Sequence, residues 1–102
     1  MTIRISRRAQ RDLDGMRDYT LAHWGRNQWL KYYRGLAEAF ERIEATPMCG
    51  QSRGLFGPGM RSLNYEKHLV FFEPVGRDVA ILRIIHQRRH LPGLIYYDDL
   101  DA

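Results

Sequence analysis

The chain has 102 residues, 44% hydrophobic and 27% charged, with 16 Lys+Arg against 12 Asp+Glu for a net charge of +4. That length accommodates one core and excludes a second independent lobe, so residues 1–102 read as a single domain. The lone cysteine, Cys49, excludes an internal disulfide framework and a Cys-rich zinc module, and no run reaches the roughly 20 apolar residues of a membrane span.

In chain order, Thr2–Ile5 alternates β-branched residues and reads as a short strand. Ser6 stands where a helix N-cap belongs, and Ala9, Leu13, Met16 and Thr20 recur at helical spacing as far as Trp24-Gly25. After that break, with Asn27 as a cap, Trp29, Tyr32, Tyr33, Leu36, Ala37, Phe40 and Ile43 form one continuous apolar stripe of a second helix. Its other face carries Arg34, Glu38 and Arg42, and the helix stops before Pro47. So short a break predicts an antiparallel helical hairpin. Residues 47–59, with four glycines and two prolines, read as a long loop.

Three strands follow: Met60–Tyr65, His68–Glu73 and Val79–Ile85, the last apolar on both faces and therefore expected at the centre of the sheet. Residues 74–78 read as a hairpin loop with Gly76 at positive φ. The predicted fold is α+β: an N-terminal strand, an antiparallel two-helix hairpin, then a three-stranded antiparallel meander, βααβββ, with the helices on one face.

Charge is unevenly placed. Setting aside the tail acids Asp98, Asp99 and Asp101 raises the balance from +4 to +7, and 14 of the 16 cations are arginine. Arginine's planar fork suits carboxylates and phosphates, so an anionic partner is expected; the field alone does not distinguish nucleic acid from an acidic protein segment. Arg4, Arg7, Arg8 and Arg11 fall within eight positions with no intervening acid, and read either as a contact surface or as an exposed helix face partly neutralised by Asp12 and Asp14. No apolar h-region follows the basic N-terminus, so the chain is expected to be cytoplasmic.

Several short motifs in this order resemble the RelE/ParE superfamily of bacterial toxins, and its ParE branch in particular. They are Ser6-x-x-Ala9-x-x-Asp12-Leu13, Tyr19-x4-Trp24-Gly25, Tyr33-x-x-Leu36-x3-Phe40-x-x-Ile43, Pro47-x-x-Gly50 and Gly59-Met-Arg61. His68-x-Val70-x-Phe72 and Ile81-Leu-Arg83-Ile-Ile-His86-Gln-Arg88-Arg89 complete the set. ParE-like toxins more usually carry an acid where His90 stands.

The resemblance implies the toxin of a type II toxin–antitoxin system, held inactive by a cognate ParD-like antitoxin that is acidic toward its C-terminus and folds on binding. Operator DNA would be reached only through that antitoxin. A disordered segment of this kind can lay a helix on the helical hairpin and add a strand to a sheet edge. Arg4, Arg7, Arg8, Arg11, Trp24 and Trp29 are the antitoxin-binding candidates.

The ParE branch implies DNA gyrase as target and no chemistry in the toxin itself, with neither metal nor cofactor. Arg88, Arg89, His90, Tyr96 and Tyr97 at and beyond the last strand are then the target-binding candidates, although the two tyrosines also fit an edge strand or a frayed tail. The RelE branch implies ribosome-dependent mRNA cleavage instead, which needs proton transfer and phosphate stabilisation. For that reading Arg61, Arg83 and His86 are the catalytic candidates, with His68 also available, but the chain has only two lysines, Lys31 and Lys67. In a regular strand Arg83 would share a face with Val79, Ile81 and Ile85, and His86 with Ala80, Leu82 and Ile84, so the two would meet only across a bulge. Arg83 reads first as a half-buried arginine bound to backbone carbonyls or a helix carboxylate. A third reading is a toxin fold without toxicity, acting in corepression with its antitoxin.

Overall fold

The computed structural model describes residues 2–87. Its elements are β1 (Ile3–Ile5), α1 (Arg7–His23), α2 (Arg26–Ala45), β2 (Gln51–Ser52), β3 (Arg61–Tyr65), β4 (His68–Val75) and β5 (Asp78–His86). They form a five-stranded sheet in the order β1-β5-β4-β3-β2. β1 runs parallel to β5, and the remaining neighbours are antiparallel.

Ser6 caps α1 as expected: its hydroxyl accepts from the Ala9 N–H at 3.0 Å and donates to the Leu82 carbonyl at 2.9 Å, so one side chain starts the helix and ties it to β5. At the hairpin, Gly25 at φ 88 is the N-cap of α2, and Asn27 lies inside the first turn instead of capping it. The reason is conformational: the two-residue turn needs a left-handed backbone, which glycine adopts freely. The stripe of α2 buries Leu36 and Ile43, joined by Ala39 from outside it, whereas Ala37 is half-buried and Tyr33 at its margin is 51% exposed.

The helices cover one face of the sheet. Ala9, Leu13, Leu36, Ala39 and Ile43 pack there on Leu63, Val70, Phe72, Val79, Ile81 and Ile84. On the other face Met60, Leu69, Phe71, Leu82 and Ile85 form a second cluster, against which Phe56 packs from the loop before β3. With both faces covered, the interior strands read as nearly unbroken apolar runs.

The structure departs from the sequence reading in four further places. The 47–59 segment contains β2, whose two polar residues carry no alternation signal; Gly50 beside it, at φ 77, runs so close to the Ser62 carbonyl that a Cβ would collide with it. The middle strand is β4, with β5 between it and β1. The loop after β4 shrinks to Gly76-Arg77, because Val75 and Asp78 still pair.

The fourth departure has the largest effect. Phe71 pairs with Arg83 but Phe72 pairs with Ile81, which makes Leu82 an extra residue in β5. Such a bulge resets the period-two alternation. Ile84 therefore joins Val79 and Ile81 under the helices, while Ile85 joins Leu82 on the opposite face, reversing the expected assignment of both. His86 turns toward the helical side with Ile84.

Candidate functional site

Where α1 and α2 diverge from the β3–β4 turn and the end of β5, they leave an open groove of about 1210 Å³. Arg11, Asp12, Tyr19 and Trp24 line it from α1 and the hairpin turn, Lys31, Tyr32, Arg34 and Glu38 from α2, Glu66 and Lys67 from the β3–β4 turn, and His68 and His86 from the strands. Four Lys/Arg face three carboxylates, so the groove is mildly cationic and partly aromatic.

Its floor is a polar network. Tyr65 donates its hydroxyl to the Tyr32 carbonyl at 2.9 Å, and the Tyr32 hydroxyl meets His68 Nδ1 at 2.5 Å. The His68 ring lies edge-on to His86, with centroids 5.2 Å apart, as their direct pairing across β4 and β5 dictates. Burial, reinforced by the neighbouring His86, pushes the His68 imidazole down to about 4, so it is neutral at physiological pH. Burial, with Tyr65 and Glu66 nearby, raises the Tyr32 phenol above its ordinary range, so it remains a protonated hydroxyl.

Arg83 is committed to structure. Its guanidinium donates to both oxygens of Asp12, at 2.9 and 3.2 Å, and the same carboxylate accepts the Ile84 N–H at 2.9 Å. Asp12 thus bonds to the stretch of β5 beyond the end of β1. Arg61 donates to the carbonyls of Cys49 and Gly50 at 3.0 and 3.2 Å and fastens the turn before β2. Because Arg61 pairs with Phe72 while His86 pairs with His68, four residues along β4, the two are separated by about 13 Å along the sheet. The described structure therefore does not assemble Arg61, Arg83 and His86 into one cluster.

The antitoxin-binding candidates are distributed over β1, α1, the hairpin turn and α2. Arg4 is exposed on the edge strand β1 and pairs with Asp78 at 2.8 Å. Arg7 and Arg11 are exposed one turn apart on α1, with Arg11 in the groove, and Arg8 is half-buried and engaged. Trp24 is 71% exposed at the groove's hairpin end, while Trp29 is half-buried against Tyr32 and Tyr33, at 6.4 and 5.6 Å between centroids. Arg88, Arg89, His90, Tyr96 and Tyr97 lie outside the described residues. Among the described residues, no helix is long and apolar enough to cross a membrane.

Sequence reasoning missed the roles of Tyr32, Tyr65 and Asp12. By pattern Tyr32 reads as part of an apolar stripe and Asp12 as part of a solvated face. The available signal was the pairing of a strand arginine with an acid at the inward position of a preceding helix, Asp12 being adjacent to the buried Leu13.

Residues 3–91 match the model of the ParE toxin of the type II toxin–antitoxin system, parDE. A Toxin ParE1 of Caulobacter vibrioides is 38% identical over 86% of this chain and 95% of its own length. A Toxin ParE1 of Mycobacterium tuberculosis is 33% identical over 82% and 87% respectively. A solved structure described as the chromosomal ParDE TA system from P. aeruginosa superposes with a TM-score of 0.71 at 27% identity, covering 84% of this chain and 95% of that one.

Proposed function

The chain belongs to the ParE family of toxins of type II toxin–antitoxin systems, and from that premise we propose that it inhibits DNA gyrase by binding and is neutralised by a ParD-like antitoxin. It acts in the cytoplasm, by shifting the cleavage–religation equilibrium of the gyrase–DNA complex and not by a reaction of its own. The observation that carries a binding reading over a nuclease reading is the engagement of the strand arginines. Arg83 is held by Asp12 and Arg61 by loop carbonyls, and neither is presented to a phosphate beside His86.

The antitoxin surface is the groove with its exposed aromatic rim and the adjacent free side of β1. An acidic segment meets Arg11, Lys31, Arg34 and Lys67 while its apolar face covers Tyr19 and Trp24; an extended portion augments the sheet beside Arg4. Target contact falls to the chain beyond β5, with Arg88, Arg89, His90, Tyr96 and Tyr97 as the residues to change.

The test is a gyrase supercoiling and DNA-cleavage assay with the folded chain, with and without antitoxin. Inhibited supercoiling with accumulating linear DNA, reversed by antitoxin and weakened at least tenfold by Arg88→Glu/Arg89→Glu, is the expected result. An unaffected gyrase in the presence of folded, antitoxin-binding protein overturns it. Ribosome-dependent mRNA cleavage in a parallel reaction would then identify the nuclease reading, and its absence the corepressor reading.

A further inference from the structure

Residues 53–60, between β2 and β3, form a closed loop that holds one apolar side chain out in solvent. The Arg53 N–H donates to the Met60 carbonyl at 2.8 Å and joins the two ends, while the N–H groups of Phe56, Gly57 and Met60 donate to the carbonyls of Arg53, Gly54 and Gly57 at 2.9, 3.3 and 3.0 Å. Two side chains fasten the loop to the sheet face opposite the helices. The Phe56 ring stands edge-on to the buried Phe71, with centroids 6.1 Å apart, and the Arg53 guanidinium lies 6.0 Å from the same ring and donates to the Ser62 hydroxyl at 2.8 Å. Compact loops of this kind, closed at the neck and packed by their own side chains, are a common form of binding element. At the tip, Leu55 is 97% exposed.

We propose that this loop is an anchor for the toxin's protein target, with Leu55 entering an apolar pocket whose rim carries carboxylates. The inference rests on the reading that the chain acts by binding gyrase, and adds a second point of contact to the one beyond β5. Composition sets the partner's chemistry. Residues 54–60 carry no polar side chain in a chain of which 27% is charged, and residues 45–65 contain Arg53 and Arg61 but no acid. The hydrogen bonds that hold those two arginines go to the uncharged oxygens of Ser62, Cys49 and Gly50, so these bonds leave the charges unneutralised and suited to a carboxylate rim.

Placement separates this contact from the antitoxin surface. Among the described residues, none that lines the groove comes from 47–64, and the loop sits at the β2 edge of the sheet, opposite to β1, on the face away from the helices. Along the strands the loop neck at Arg61 and the β5 exit at His86 lie about 13 Å apart, so a target engaged at both ends of the sheet is held at two points. Because Phe56 and Arg53 already fasten the loop, little ordering entropy is lost on docking. A lipid surface suits the loop less well, since one leucine beside a half-covered phenylalanine offers little of the apolar face that interfacial binding uses.

The test is affinity for purified gyrase holoenzyme together with growth arrest on induction, measured on the full chain and its Leu55 variants. Leu55→Ser should weaken gyrase binding at least tenfold and relieve growth arrest, because it removes the contact of one buried leucine, while Leu55→Met should retain both. Leu55→Asp should bind more weakly than Leu55→Lys, as a carboxylate rim requires. Antitoxin affinity and circular dichroism should stay unchanged in all of them, as should the activity of Met48→Ser, whose side chain is exposed ahead of β2. If the unmutated chain arrests growth without binding gyrase, the gyrase reading fails, and the anchor then stands or falls on whether Leu55→Ser relieves the arrest. Full growth arrest by folded Leu55→Ser, or equal binding of Leu55→Asp and Leu55→Lys, overturns the proposal. Antitoxin affinity, self-association or binding to phosphatidylglycerol vesicles that is lost in Leu55→Ser assigns the loop to that partner and overturns it as well. An unmutated chain that neither arrests growth nor binds gyrase overturns the proposal and the reading together.

Discussion

Replacing Asp12 by alanine should be the most destabilising single polar substitution among the described residues, and its cost can be worked from the contacts. The carboxylate holds the Arg83 guanidinium, whose side chain is 8% exposed, and also the Ile84 N–H. Removing one partner of a buried ion pair costs about 3–5 kcal/mol, because the remaining charge is left without compensation. Asp12 is 17% exposed, so water entering the gap moderates the loss, and about 4 kcal/mol is expected. For a domain whose total stability is about 5–15 kcal/mol this lowers Tm by roughly 20 °C. Arg83→Met removes the opposite partner but keeps the bond from Ile84 to a carboxylate that is somewhat better hydrated than the guanidinium, and should cost less, about 2–3 kcal/mol. Asp12→Asn, which keeps an acceptor for Ile84, should fall between them. Urea unfolding followed through Trp24 and Trp29 fluorescence measures all three. Equal costs for Asp12→Ala and Arg83→Met, or an Asp12→Ala cost below about 1.5 kcal/mol, would refute the argument that Asp12 organises the β5 exit.

Two further expectations concern the groove and the helices. Because His68 is depressed to about 4 in the fold against about 6.5 when unfolded, the unfolded chain binds the extra proton between those values; stability is therefore full above pH 6.5 and declines as the pH falls toward 4. His68→Gln should flatten that slope in urea titrations at stepped pH, and an unchanged slope would show that His68 is not its source. Gly15 and Gly35, both inside helices, should respond in opposite directions to alanine. Gly15 has open space around it and should gain about 0.5–1 kcal/mol of helix propensity, whereas a Cβ at Gly35 collides with the Tyr65 hydroxyl that bonds to Tyr32 and should cost about 1–2 kcal/mol net. Thermal melts of the two variants decide this, and a stabilised Gly35→Ala would show that Tyr65 yields freely.

What could be read from the sequence was whatever depends on local pattern. Ser6 capping α1, the break at Gly25, the stripe through Leu36 and Ile43 and the apolar run of β5 each declare themselves within a few residues. β2 did not, because Gln51-Ser52 is a strand only by virtue of lying beside Ser62 and Arg61. The placement of the strand residues failed for a related reason. Period-two alternation transmits one error down the whole strand, and the insertion of Leu82 is a property of how β5 pairs with β4, not of β5 alone.

That insertion also builds the groove floor. Without it His86 would face the cluster of Leu69, Phe71 and Leu82, and the pairing with His68 and the adjacent Tyr32 would be lost. The bulge needs support, since it leaves β5 bent where β1 has already ended. Ser6 supplies it at the Leu82 carbonyl and Asp12 supplies it at Arg83 and Ile84. The motif Ser6-x-x-Ala9-x-x-Asp12-Leu13 thus has a single physical content. On one face of the first two turns of α1 it places the cap, the small residue that lets the helix approach the sheet, and the carboxylate that holds the bulge in place. A change at Asp12 should therefore reach the groove and the chain leaving β5 together, whichever target that chain contacts.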